Sequence, residues 1–178
     1  AVLSLGVVVE IFGFAYNSIL PAVARDVLGV GATGLGTLSL MAGIGSLGGV
    51  LFLSWLGDFR RKGLLLLGIT LGYGVAIVTF SWSTWFYASL GVIMLVGAMA
   101  AIFDALQWTL VQALVPERMR GRALAGWVFA ISFGWVGHLL LGTASELVGL
   151  RWALLGTGLM LVVTAFVAFF LAQGLRRA

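Results

Sequence analysis

The stretch FYASLGVIMLVGAMAAIFDALQWTLVQAL, residues 86–114, carries one charged side chain, Asp104. A helix of this length exceeds the roughly 20 apolar residues that cross the hydrocarbon core of a bilayer. A transmembrane β-strand needs only about 9–11 residues and alternates in polarity, and this stretch does not alternate. The stretch therefore predicts an α-helix that spans a membrane.

Apolar runs of similar length recur through the whole chain, separated by short polar segments. These segments have the length of helix-hairpin connections and leave no room for a soluble domain. We therefore predict one domain over residues 1–178, an all-α membrane protein with six transmembrane helices. Since the first run begins at once and residue 1 is not Met, we expect a fragment of a longer protein. The predicted spans cover about residues 1–24, 32–56, 64–81, 86–114, 123–146 and 153–173.

The composition excludes a water-soluble enzyme. Hydrophobic residues make up 62% of the chain and charged residues 9%, against about 25% charged residues in an ordinary soluble domain. The chain has no cysteine and a single histidine, His138, so a thiolate or histidine-based metal site lacks ligands. We expect no cofactor, and the few basic residues give no reason to expect nucleic acid as a partner.

The basic residues are concentrated on one side of the six-span arrangement. By the positive-inside rule, the second and fourth connections and both ends of the chain lie in the cytoplasm. We expect an integral protein of a bacterial inner membrane. The basic residues on this side are Arg60, Arg61, Lys62, Arg118, Arg120, Arg122, Arg176 and Arg177.

The polarity of the spans repeats after every third one. The first and fourth carry an acidic residue, the second and fifth are marked by glycines, and the third and sixth carry no acidic or basic residue. Because three is odd, the second unit enters the membrane from the opposite side, which predicts a 3+3 inverted repeat. We expect the first and fourth spans to face an aqueous cavity, the glycine-marked spans to pack closely, and the third and sixth to face lipid.

Glu10 lies inside the first span and shares a helical face with Gly6, Gly13 and Asn17. A charged carboxylate at this depth costs about 2.5–3.5 kcal/mol, so Glu10 should be protonated, paired or hydrated. One interpretation is a proton-coupling acid. The alternative is a neutral side chain that forms a hydrogen bond with a neighbouring helix.

Asp104 lies inside the fourth span and is followed on the same face by Gln107, Trp108 and Gln112. This polar and aromatic face could line a substrate cavity, with Asp104 as a second candidate for proton coupling. An interhelical hydrogen-bond cluster that only stabilises the bundle is the alternative.

Three further polar residues could belong to the cavity. His138 lies between two glycines in the fifth span, where it could form a structural hydrogen bond or relay protons. Tyr16 and Asn17 could contact substrate or cap the end of the first helix.

The sequence GIGSLG, residues 43–48, matches the dinucleotide-binding pattern G-x-G-x-x-G. That pattern functions in a loop between a strand and a helix, whereas this one lies inside a membrane span. Gly45 and Gly49 instead form a small-xxx-small pair, which predicts close helix packing.

Three connections resemble loops of the major facilitator superfamily. SWLGDFRRK, residues 54–62, is similar to the motif A loop, with Leu56, Asp58 and Lys62 on motif positions. It departs from the motif at Ser54, Phe59 and Arg61. LPAVARDVLGVGATGLG, residues 20–36, resembles the connection between helices 7 and 8 of drug and siderophore exporters. VPERMRGR, residues 115–122, resembles their connection between helices 10 and 11.

The resemblance implies the C-terminal half of a twelve-helix carrier, in which helices 7 and 10 line a central site. That would place Asn17, Gln107 and Trp108 at the cavity beside the proton-coupling candidates Glu10 and Asp104. The other cavity candidates, from the residues alone, are Tyr16, Gln112 and His138. The cytoplasmic gate would include Asp58, Arg60, Arg61, Lys62, Arg120, Gly121 and Arg122. Without the resemblance, these loop residues could serve only to set the membrane topology and to contact lipid headgroups.

We therefore expect a proton-coupled secondary transporter, which exports a hydrophobic drug-like or siderophore-like molecule by alternating access. Its partners would be lipids, protons, the substrate and the missing N-terminal half. The alternative is a membrane scaffold or assembly protein without transport. A six-helix membrane enzyme is disfavoured because the sequence contains no recognisable nucleophile or metal-ligand set.

Overall fold

The computed structural model describes residues 2–57 and 61–171, and every regular element in these ranges is helical. A short π-helical turn, Val23–Val27, follows the second helix, and a 3₁₀ turn, Glu117–Met119, precedes the sixth. The helices are α1 Val2–Phe12, α2 Tyr16–Ala22, α3 Ala32–Leu56, α4 Lys62–Trp82, α5 Phe86–Leu114, α6 Arg120–Ile131, α7 Gly134–Val148 and α8 Leu150–Leu171.

These elements form six segments long and apolar enough to cross a membrane, which confirms the predicted all-α fold with six spans. The first span consists of α1, α2 and the π-helical turn, and the fifth consists of α6 and α7. The other four are single helices. Gly57 and Gly149 end α3 and α7 with positive φ angles of 66° and 91°, a backbone region that glycine occupies without strain.

The packing pattern of the helices is consistent with an inverted repeat. The second span packs on the fourth, and the first span packs correspondingly on the fifth. The third span packs on the sixth. The third also packs on the fourth as the sixth packs on the first. Exchanging the first three spans with the last three interchanges the contacts within each of these two sets and leaves the contact between the third and sixth spans unchanged, as a two-fold relation between the units requires. The packing of the fifth span on the sixth has no counterpart of similar extent between the second and third.

Small residues bring the second and fourth spans into backbone contact. A Cβ atom on Gly45 would collide with the carbonyl oxygen of Met94, and one on Gly49 would lie 2.6 Å from that of Ala98. The hydroxyl of Ser46, between these glycines, lies 3.1 Å from the carbonyl oxygen of Gly97. Close packing of Gly45 and Gly49 was the expectation, and it is confirmed.

The third span is buried in protein over about half of its length, including Tyr73 at its centre, because α4 packs on both α5 and α8. Only the rest of its surface can face lipid as expected. The glycine-marked second span is buried only at Leu38, Gly45 and Gly49. A residue without charge fits a protein interior as well as it fits lipid, so the absence of charge did not reveal how much of the third span is buried.

Candidate functional site: a central polar cluster

Glu10 and Asp104 lie within electrostatic range of each other inside the bundle, although they belong to different spans. The side chain of Glu10 is 8% exposed, and Asp104 is partly buried. On α7, the position of a Cβ atom on Gly134 would lie 3.7 Å from Oε2 of Glu10. The first, fourth and fifth spans therefore meet around Glu10.

Glycines on α1 allow this approach. A Cβ atom on Gly6 would collide with the amide nitrogen of Gln107, one turn beyond Asp104 on α5. A Cβ atom on Gly13 would lie 2.7 Å from the ring of Tyr73. The face of α1 that carries Gly6, Glu10 and Gly13 is therefore covered by protein. We call Glu10, Tyr73, Asp104 and Gln107 the central polar cluster.

The first span is interrupted immediately after Glu10. Residues 13–15 form a turn in which the amides of Gly13 and Phe14 both donate to the carbonyl oxygen of Val9, at 2.6 and 3.3 Å. The helix restarts at Tyr16. Such interruptions are tolerated at membrane depth where protein or a water-filled cavity surrounds them.

The fifth span is interrupted near the same level, at Ser132 and Phe133, just before Gly134 approaches Glu10. Farther along α7, a Cβ atom on Gly137 would collide with the carbonyl oxygen of Ile11. Two interrupted spans thus pack backbone against backbone beside Glu10 and Asp104, the acidic pair. Breaks of this kind often line transport sites in membrane carriers.

Several buried polar atoms have no hydrogen-bonding partner among the described residues. Buried polar groups are generally paired, so a water molecule or another polar group could form hydrogen bonds with these atoms. Both donors and acceptors are represented among them. They are the hydroxyl of Tyr73, Oδ1 of Asp104, Oε1 of Gln107, Nε1 of Trp127 and Nδ1 of His138.

An aromatic pair extends the cluster along α5. Trp108, four residues beyond Asp104, packs edge-on against Trp127 of α6, with ring centroids 4.7 Å apart. Trp108 is 39% exposed, so part of its ring is accessible from outside this chain. The pair adds a large apolar surface beside the acidic groups. In residues 2–57 and 61–171, no three His, Cys, Asp or Glu side chains are grouped to hold a metal ion.

The family model of the Major Facilitator Superfamily matches residues 2–177. The chain belongs to the major facilitator superfamily. Its members are secondary transporters and not enzymes, and the six membrane-length apolar helices agree with an integral membrane protein of the transporter class. A search of the curated proteins found no significant match.

The cavity candidates of this facilitator chain differ in how deeply they are buried. Gln107 is almost fully buried in the cluster, and Gln112 is partly buried farther along α5. Tyr16 is buried and lies within electrostatic range of Tyr73. Asn17 is exposed, and its amide nitrogen donates to the carbonyl oxygen of Phe14 at 3.2 Å. The turn at residues 13–15 lies between the exposed Asn17 and the buried Glu10, and their common face stays a prediction.

His138 lies one helical turn beyond Gly134, on the face of α7 that approaches Glu10. The side of His138 toward Gly142 is less closely packed than its two flanking glycines predict, because nothing lies within 4 Å of a Cβ atom on Gly142. The structural and the proton-relay interpretations of His138 both stay open.

The gate candidates lie mostly at the ends of helices. Arg61, Gly121 and Arg122 are exposed, and Lys62 is partly buried at the start of α4. Asp58 and Arg60 lie outside the described residues, as does the side chain of Arg120. Their role as a gate stays a prediction.

Tyr73 and Trp127 were missed by reasoning from the sequence. Tyr73 is completely buried, packs edge-on against Phe14 with ring centroids 6.1 Å apart, and lies within electrostatic range of Glu10 and Asp104. A signal was present, since a phenol in the middle of an apolar span must place its hydroxyl away from lipid. Trp127 could not be recognised in this way, because tryptophans near span ends commonly lie at the membrane surface.

Proposed function

We propose that this chain is the C-terminal half of a proton-coupled exporter, which moves a hydrophobic drug-like or siderophore-like molecule by alternating access. An N-terminal six-helix half would complete the cavity. The basic connections and both ends of the chain would face the cytoplasm of a bacterial inner membrane. The loop resemblances at residues 20–36, 54–62 and 115–122 support the assignment to this half and to exporters.

The position of the acidic pair is the observation that carries the coupling proposal. Glu10 and Asp104 come from the two repeats and lie within electrostatic range of each other, with Glu10 buried and Asp104 partly buried. Charges are costly there, so a proton on either carboxyl group removes both a desolvation cost and the repulsion between the two. Binding or release of one proton therefore changes the net charge between the spans that would move during alternating access.

The aromatic pair supports the proposed class of substrate. Trp108 and Trp127 present apolar ring surface, and the indole nitrogen of Trp127 is available as a donor. A hydrophobic molecule with a few polar atoms would bury its apolar area on these rings. A cationic one would also gain attraction to the rings and to a deprotonated carboxyl group. Competition between such a cation and a proton would couple their movements.

The test uses the full-length protein in proteoliposomes with an imposed proton gradient and ethidium as the hydrophobic cationic probe. Glu10→Gln and Asp104→Asn keep the size and hydrogen-bonding capacity of the side chains and remove the charge. Glu146→Gln is the matched control, since Glu146 is exposed near the end of α7. We expect at least one cluster variant to abolish the acceleration of transport by the gradient, and the control to retain it.

Transport of ethidium with unchanged pH dependence in both cluster variants and in the double variant would refute the coupling. If the intact protein moves neither ethidium nor other hydrophobic dyes, the proposed substrate class is wrong. Fluorescence of a trapped pH indicator measures proton movement in the same vesicles.

A further inference from the structure

A groove separates α4 from α8 at the end of the bundle where α4 begins. Its volume is about 320 Å³, and its walls are entirely apolar. Leu64 and Leu71 of α4 face Phe166 and Phe170 of α8 across it. Phe170 is 69% exposed, so the groove opens outward from the chain.

The crossing of the two helices produces the groove. A Cβ atom on Gly74 would lie 2.8 Å from the carbonyl oxygen of Gly158, so α4 and α8 touch backbone to backbone there. From this crossing the helices diverge toward the first turns of α4 and the last turns of α8. Gly68 widens the groove, because nothing lies within 4 Å of the position of its absent Cβ.

The dimensions of the groove suit a lipid chain. Leu64 and Leu71 are seven residues apart, which corresponds to about 10 Å along α4. One leaflet contributes about half of the roughly 30 Å hydrocarbon core, so the groove follows about two thirds of a leaflet. An acyl chain that lies parallel to the helices would bury its methylene groups against the leucine and phenylalanine side chains.

Basic residues lie at the open end of this groove. Arg61 and Lys62 immediately precede the part of α4 that lines it, and Arg61 is exposed. An apolar groove that ends beside basic side chains is complementary to an acyl chain joined to a negatively charged headgroup.

We propose that this groove binds one acyl chain of an anionic phospholipid, whose phosphate interacts with Arg61 and Lys62. None of the residues that line the groove belongs to the central polar cluster.

The test measures retention of phosphatidylglycerol and phosphatidylcholine with identical acyl chains by the purified full-length protein, using native mass spectrometry. Two basic side chains near a headgroup predict roughly 30-fold preferential retention of the anionic lipid. Gly68→Phe fills the groove and should remove one tightly retained phosphatidylglycerol. Gly156→Phe is the matched control, because Gly156 of α8 also has nothing within 4 Å and lies outside the groove.

Arg61→Gln together with Lys62→Gln should reduce the preference for phosphatidylglycerol while the groove remains open. Equal retention of the two lipids by the unmodified protein would overturn the proposal, as would an unchanged preference in a folded Gly68→Phe variant.

A second measurement does not depend on the folding of any variant. Phosphatidylglycerol with a photoreactive group in the acyl chain should label residues 64–71 or 165–170 of the unmodified protein. Excess phosphatidylglycerol should suppress this labelling more than phosphatidylcholine does. Labelling confined to other segments would overturn the proposal. This result is expected if residues 172–178 or the substrate occupy the groove in place of a lipid.

Discussion

Gly48 and Gly49 offer a sharp test of how the second and fourth spans pack. They are neighbours in α3, yet a Cβ atom on Gly49 would lie 2.6 Å from the carbonyl oxygen of Ala98, whereas one on Gly48 would meet nothing within 4 Å. Substituting each by alanine adds the same methyl group to the same helix. Only Gly49→Ala places that group against the backbone of α5.

The expected size of the effect follows from this geometry. Ordinary van der Waals contact begins at about 3.4 Å, so the new methyl group lacks about 0.8 Å of room. The obstructing atom belongs to the backbone and cannot rotate away, so α3 and α5 must separate. Overpacking of this kind typically costs about 1–3 kcal/mol.

Both substitutions also gain about 1 kcal/mol of helix propensity, since alanine favours a helix over glycine. This gain cancels in the comparison between the two variants. We therefore expect Gly49→Ala to be less stable than Gly48→Ala by about 1–3 kcal/mol.

The free energy of unfolding is measured by titrating the purified protein from a mild detergent into sodium dodecyl sulfate, with circular dichroism as the signal. Equal helicity of the two variants before titration is the control for correct folding. Stabilities that agree within about 0.5 kcal/mol, the range usual for changes without a specific contact, would refute the proposed backbone contact.

Two further substitutions test the central polar cluster. Tyr73→Phe removes only a buried hydroxyl without a described partner, so we expect retained thermal stability but an altered pH profile of transport. Tyr87→Phe, at an exposed position, should alter neither, and an unchanged pH profile in Tyr73→Phe would exclude the hydroxyl from coupling. Gly137→Ala should lower stability by about 1–3 kcal/mol and impair transport, because the carbonyl oxygen of Ile11 occupies the space. Gly142→Ala, with open space around it, should do neither; equal melting temperatures for these two variants would contradict the packing of α1 on α7.

Part of the candidate site was predictable from single residues. Glu10 and Asp104 stand out because a carboxyl group inside an apolar span must be neutralised, paired or hydrated, and both do lie in the interior. The interruption at residues 13–15 was not predictable. Pro21 lies inside α2, and the turn instead forms at Gly13, where the ring of Tyr73 needs room. That need arises from another span.

The sequence by itself determined that the chain is helical, lies in a membrane and crosses it six times. These properties depend on local chemistry, because in lipid each backbone amide must find its partner within its own helix. Only the tertiary structure decided which face of each helix lies inside, and therefore that Tyr73 is buried and that Gly49 but not Gly48 is packed. In water the apolar face of a helix marks the interior. A lipid-facing surface is as apolar as a protein core, so this periodic signal is lost.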